Sequence, residues 1–214
     1  MLNNLIDWII EHGGLYALLF IIFAETGLLL GFFLPGDSLL FAAGIYSSKL
    51  SESFFNAHYS VIIILIIIAS ILGNMAGYWF GYKTGPLLYE RKESFFFRRK
   101  HLIRAHEFYE KYGKGTVFAA KFLPIIRTFA PIVAGVVKMP KSTFTLYNIL
   151  GSIVWVASMF LGGHFLENWV QARYDFSLKE HIEVIAIGII VITTIPVIIK
   201  LFFGKKPVVD VDPK

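Results

Sequence analysis

The chain contains no cysteine, which excludes disulfides, thiol nucleophiles and cysteine-ligated metals. Charge is scarce as well. Asp, Glu, Lys and Arg make up 16% of the 214 residues and apolar types 56%, against roughly 25% charged in a soluble domain. The first ten residues carry no Lys or Arg, so the basic head of a cleavable signal peptide is missing and none is expected. There is no phosphate-cradling glycine loop and no nucleophile–base–acid constellation. The histidines show no metal spacing: His101 and His106 sit in a polar stretch and His164 stands apart. Neither an enzyme, a metal site nor a bound cofactor is expected.

What the chain has instead is length in its apolar runs and a mean hydropathy of +0.65. At least three runs reach the ~20 residues that cross a hydrocarbon core. The expected fold is an all-α polytopic membrane protein. Residues 1–14 read as an interfacial amphipathic helix, with Leu2, Leu5, Ile6, Ile9 and Ile10 opposite Asp7 and Glu11. Residues 15–203 read as one integral transport domain. Within it, re-entrant hairpins cover about 15–47 and 115–137, and spans cover about 61–82, 142–166 and 184–203, the last an additional C-terminal transmembrane helix. A basic loop fills 83–114 and a tail 204–214. Gly73, Gly77 and Gly81 line one face of the 61–82 span, which permits close helix packing.

The net charge of +5 follows from topology, and no nucleic-acid partner is expected. Nine Lys and Arg lie in 83–116 and six more in 138–141 and 200–214. Only Lys49, Arg173 and Lys179 occupy the segments on the other side. Fifteen against three places the large loop and the C-terminus in the cytoplasm. The two broken segments then enter from opposite faces. Phe-Leu-Pro occurs at 33–35 and 122–124, followed by Gly44 and Gly135. Ile-Leu-Gly occurs at 71–73 and 149–151, followed by Gly85 and Gly163. Two hairpin-plus-span units of opposite orientation, an inverted repeat, fit both the charges and these matches.

Four charges fall within the broken segments: Glu25 and Asp37 in the first, Lys121 and Arg127 in the second. An ionisable group at membrane depth costs about 2.5–3.5 kcal/mol on insertion scales and usually serves function. Pro35, Gly36, Pro124 and Pro131 are the expected hairpin breakers. Broken tips free backbone N–H groups that attract anions. Arg127 offers a bidentate contact and Lys121 a point charge, a pair suited to phosphate. Glu25 and Asp37 can exchange protons as the site faces one side and then the other. Blander roles stand beside these. Glu25 and Arg127 could form a purely structural ion pair, Asp37 could cap a helix starting at Ser38, and Lys121 could snorkel to the cytoplasmic surface. Asn74 and Asn148 suit interhelical hydrogen bonding, and with Thr128 they could line the site.

The string Glu25-x9-Pro35-Gly36-Asp37, followed by KFLPIIRTFAPIVAG, resembles the DedA family of bacterial membrane proteins, also called the SNARE-associated or VTT-domain family. Phe118, Phe122, Pro124, Arg127, Thr128, Ala134 and Gly135 match its second motif. Gly73-Asn74, Gly77-Tyr78, Asn148, Gly151 and Trp155 also fit, so the resemblance covers roughly Leu15 to Gly163. One position departs: Lys121 stands where the family usually has Arg. The resemblance implies return of undecaprenyl phosphate to the cytoplasmic leaflet, driven by the proton motive force. On this chain it makes Glu25 and Asp37 the proton-coupling pair and Lys121 and Arg127 the phosphate-binding pair. A proton/cation exchanger and a general phospholipid scramblase are the alternatives. A lipid phosphatase would need a nucleophile near Arg127, and none lies there in sequence. The expected partner is the lipid itself, and a homo-oligomer is compatible with the sequence.

Overall fold

A computed structural model describes residues 14–27, 36–90, 115–174 and the four positions Leu178, Val184, Ile185 and Gly188. All of the expected N-terminal helix but Gly14, residue Pro35, most of the basic loop, most of the C-terminal span and the tail lie outside the described residues. Among those described the chain is all-helical, with seven helices and no strand. They are α1 (Gly14–Gly27), α2 (Gly36–Ile45), α3 (Ser47–Ser53), α4 (Tyr59–Glu90), α5 (Thr116–Ala120), α6 (Pro124–Val136) and α7 (Lys141–Tyr174).

Two helices are long and apolar enough to cross a membrane, α4 over Tyr59–Gly85 and all of α7. Both extend past the spans expected from sequence. Their outward faces are the reverse of a soluble helix: Ile64, Ile68, Leu72, Trp79 and Phe80 on α4 are exposed, as are Leu146, Leu150, Ile153 and Phe165 on α7. Apolar surface on this scale marks contact with lipid or another apolar partner. The other helices are short. At about 1.5 Å per residue, α1 with 14 residues, α2 with 10 and α6 with 13 fall short of a ~30 Å hydrocarbon core.

The short helices pack against the long ones. α1 and α6 lie against α4, while α2 and α5 lie against α7. Glycine makes these crossings possible. A Cβ added at Gly44 on α2 would overlap the Phe160 carbonyl oxygen and lie 2.9 Å from the His164 nitrogen of α7; one added at Gly163 would overlap the Phe41 carbonyl oxygen. The same crossing recurs between α6 and α4. There a Cβ added at Gly135 would overlap the Tyr78 carbonyl oxygen and lie 2.6 Å from the Tyr82 nitrogen, and one added at Gly81 would overlap the Ile132 carbonyl oxygen. Gly44 thus corresponds to Gly135, and Gly163 to Gly81. The Ile-Leu-Gly match had paired Gly163 with Gly85 instead, one helical turn away. Apolar residues recur at every turn of such helices, so a three-residue match does not fix register.

The second broken segment breaks once. α5 ends at Ala120, residues 121–123 turn, and α6 begins on Pro124, the first-turn position where its missing N–H costs nothing. Pro131 does not break the chain; it lies inside α6. The end of α6 is closed by a paired cap. The Met139 N–H reaches the Ala134 carbonyl at 2.9 Å and the Lys138 N–H reaches Gly135 at 3.0 Å, with Lys138 in the left-handed region at φ 55°. The Tyr78 hydroxyl of α4 donates to the Met139 carbonyl at 2.6 Å and fixes that turn.

Candidate functional site

All four charges expected in the broken segments are buried, and all four meet where the short helices converge. Glu25 comes from the last turn of α1, Asp37 from the first turn of α2, Lys121 from the α5–α6 turn and Arg127 from the first turn of α6. Arg127 donates from Nη1 to Asp37 Oδ1 and from Nη2 to Glu25 Oε1. One guanidinium thus bridges two carboxylates, the use its rigid fork suits and an ammonium does not. Gly36 provides the room: a Cβ there would overlap the Glu25 carboxylate.

Trp155 of α7 completes this group. Its Nε1 donates to Asp37 Oδ1 at 2.8 Å, and its ring lies 4.5 Å from the Arg127 guanidinium carbon and 5.8 Å from Lys121 Nζ. Asp37 Oδ1 therefore accepts from both Arg127 and Trp155. A hydrogen bond to a charged group is worth about 1.5–3 kcal/mol. Trp155→Phe, which keeps the ring and removes the N–H, is expected to lower unfolding stability by that amount, read by a thermal melt.

Lys121 sits beside this bridge with a separate set of partners. It is 4% exposed, and its Nζ donates to Ser70 Oγ at 3.1 Å and Ser152 Oγ at 2.8 Å. It does not snorkel. Its stem passes over Gly151, where a Cβ would lie 3.0 Å from Lys121 Cγ. Next to the serines, Asn74 of α4 donates to Asn148 Oδ1 of α7 at 2.9 Å. Both asparagines thus join the two long helices, and both also line a cavity with Lys121, Arg127, Pro131 and Phe144. Thr128 is buried one position beyond Arg127.

Residues 34–165 match the VTT domain. The chain is 38% identical over 205 residues to Protein DedA of Escherichia coli strain K12, covering 95% of this chain and 90% of that one. This chain belongs to the VTT-domain (DedA) family. It is also 35% identical over 190 residues to an uncharacterized membrane protein of Mycobacterium leprae (89% and 80% covered). Inner membrane protein YqjA of Escherichia coli strain K12 is 28% identical over 181 residues (84% and 80%). No solved structure matches the chain. The matched VTT segment contains Asp37, Lys121, Arg127 and Trp155, whereas Glu25 lies ahead of it.

Three members of this VTT-domain site escaped the sequence reading as functional candidates: Ser70, Ser152 and Trp155. A signal for the serines was there. Ser70 precedes Asn74 by four residues and Ser152 follows Asn148 by four, which puts each pair on one face of an apolar helix. A tryptophan in mid-span, away from the interfacial belts where it concentrates, was the signal for Trp155.

Proposed function

We propose that this VTT-domain protein moves a polyprenyl monophosphate, undecaprenyl phosphate or a close relative, to the cytoplasmic leaflet in exchange for proton entry. The observation that carries the reading is Arg127: a buried guanidinium held at both Nη atoms by acids, with Nε unpartnered, beside a second buried cation, Lys121. An anionic headgroup brought to this pair would meet two cations, once the helices part to admit it.

Charge balance then couples the lipid to protons. The four buried charges cancel when the site is empty. An anion entering alone would leave buried charge uncompensated, which is strongly unfavourable. A proton taken up with it restores neutrality. Glu25 is the acid suited to take that proton, because its Oε2 has no partner, while Asp37 Oδ1 accepts from both Arg127 and Trp155. Two opposed re-entrant hairpins, α1–α2 and α5–α6, would carry this site between faces, and the repeated glycine crossings support such an inverted repeat. The basic-residue imbalance gives a cytoplasmic C-terminus. The relative YqjA is named an inner membrane protein, which supports placement in the cell membrane.

Undecaprenyl phosphate added to purified protein in weakly buffered detergent is expected to draw protons from solution, read by an indicator dye. Glu25→Gln should still bind the lipid by native mass spectrometry while taking up fewer protons. Binding without proton uptake in the wild type removes the coupling; folded wild-type protein that does not prefer undecaprenyl phosphate to phosphatidylglycerol removes the lipid-phosphate reading.

A further inference from the structure

Lys121 keeps different company from Arg127. Among the described residues both acids bond to Arg127, and no carboxylate is ion-paired to Lys121 Nζ. The partners of Nζ are two neutral hydroxyls, Ser70 Oγ at 3.1 Å and Ser152 Oγ at 2.8 Å. The acids thus hold a guanidinium, a group that is not deprotonated in proteins. The ammonium, which buried sites recruit as a base, is left to hydroxyls.

Hydroxyls suit both states of that nitrogen, because each can accept from an N–H or, by turning its hydrogen, donate to a lone pair. Ser152 Oγ donates to Asn148 Oδ1 at 3.3 Å, so it accepts from Lys121 in either state. Ser70 is the hydroxyl that turns. With Lys121 an ammonium, the Ser70 hydrogen points to Ser152 Oγ, 3.3 Å away; with Lys121 an amine, the same hydrogen points to the Nζ lone pair. No heavy atom moves and no hydrogen-bonding group is orphaned. A carboxylate in place of either serine would instead hold Lys121 in its charged form.

The charge count allows the same step. An empty site is neutral in two ways: with all four groups charged, or with Glu25 protonated and Lys121 an amine. An arriving anion is balanced by a proton on Glu25 in the first form and by a proton on Lys121 in the second. We infer that Lys121 is a second proton carrier of this site, taking up a proton as the headgroup enters and releasing it as the headgroup leaves. On release the N–H bond breaks, its electron pair stays on Nζ and the proton passes to water. This rests on the lipid-phosphate reading and deepens it, because Glu25 and Lys121 then share the coupling.

The charged groups that bear on Lys121 are Arg127 of α6 and, held by it, Glu25 of α1 and Asp37 of α2. From α4 and α7 its Nζ meets the two hydroxyls and the Trp155 ring, which carry no charge. Protons exchanged by Asp37 or by the ligand itself are common to variants that differ only at position 121, so they cancel when such variants are compared.

The experiment adds farnesyl phosphate to the full chain in weakly buffered detergent at mildly acidic, neutral and mildly alkaline pH, and reads protons drawn per ligand bound. Glu25→Gln is expected to keep part of the wild-type uptake. Glu25→Gln combined with Lys121→Arg is expected to bind the ligand and lose that remainder, because arginine keeps the charge and gives up no proton. Lys121→Met in the same background should show the same loss, and it replaces the arginine variant if that one fails to run as a single peak on size exclusion. A purely structural lysine would leave the proton count per bound ligand unchanged. Equal uptake by the single and double variants at every pH, zero included, overturns the inference and leaves the lipid-phosphate reading standing with Glu25 as the carrier. Wild-type protein that binds farnesyl phosphate no better than Arg127→Leu overturns both.

Discussion

Arg127→Leu is expected to abolish translocation and to cost about 3–5 kcal/mol of stability, because it leaves Glu25 and Asp37 buried, charged and unpaired. Loss of activity alone would not separate a transport role from a structural one, since a broken bridge lowers both. The separation comes from a charge-balanced variant. Arg127→Leu combined with Glu25→Gln and Asp37→Asn removes the cation and both anions together, and neutral replacement of a buried ionic group is often neutral or stabilising. Its thermal melt is expected to recover most of the loss while undecaprenyl phosphate binding and flux stay at background. Recovery of flux along with stability would make Arg127 a structural pin and sink the substrate role. Arg127→Lys should fall between in stability and remain inactive, because an ammonium cannot span two carboxylates in one fork.

The other large effect belongs to the helix crossings. Gly135→Ala is expected to destabilise by more than the 1–3 kcal/mol usual for overpacking, and to leave little folded protein in detergent. The added methyl would overlap the Tyr78 carbonyl oxygen and press on the Tyr82 nitrogen. Both are backbone atoms of α4, so no side chain can swing aside and the helices must separate. Gly44→Ala should do the same where α2 crosses α7. Gly115→Ala supplies the control: nothing lies within 4 Å of a Cβ there, and fluorescence-detected size exclusion should show it unchanged. A Gly135→Ala protein as stable as that control would mean the α4–α6 crossing is looser than described.

Much of this site was legible in the sequence because membrane burial makes charge conspicuous. Glu25, Asp37, Lys121 and Arg127 each stand out in an apolar run, and the cost of burying them marks them without any fold. Pro124 was legible for a similar reason, as a residue that cannot continue the preceding helix. Pro131 was not: a proline inside a helix and one between helices look alike until the neighbours are known. Lys121 was ambiguous because its long stem can reach an interface from many depths. Only its two serine partners, one on α4 and one on α7, decide that it stays inside. The role of Trp155 was hidden for the same reason, since a tryptophan carries no charge to betray it.

The sequence by itself determined the class of molecule, the long helices, the break before Pro124 and the identity of the buried charges. These follow from local quantities: apolar run length, proline stereochemistry and the cost of a charge in hydrocarbon. The tertiary structure alone decided the pairing. It put both acids on one guanidinium, gave the neighbouring ammonium to two serines, and left Arg127 Nε and Asn74 Oδ1 without a hydrogen-bond partner. Those partners come from chain segments as far apart as α1 and α7, and composition and spacing do not encode which of several buried cations an acid will meet. That choice is made where Gly44, Gly81, Gly135 and Gly163 let the helix backbones close, because helix separation sets which side chains come within hydrogen-bonding reach.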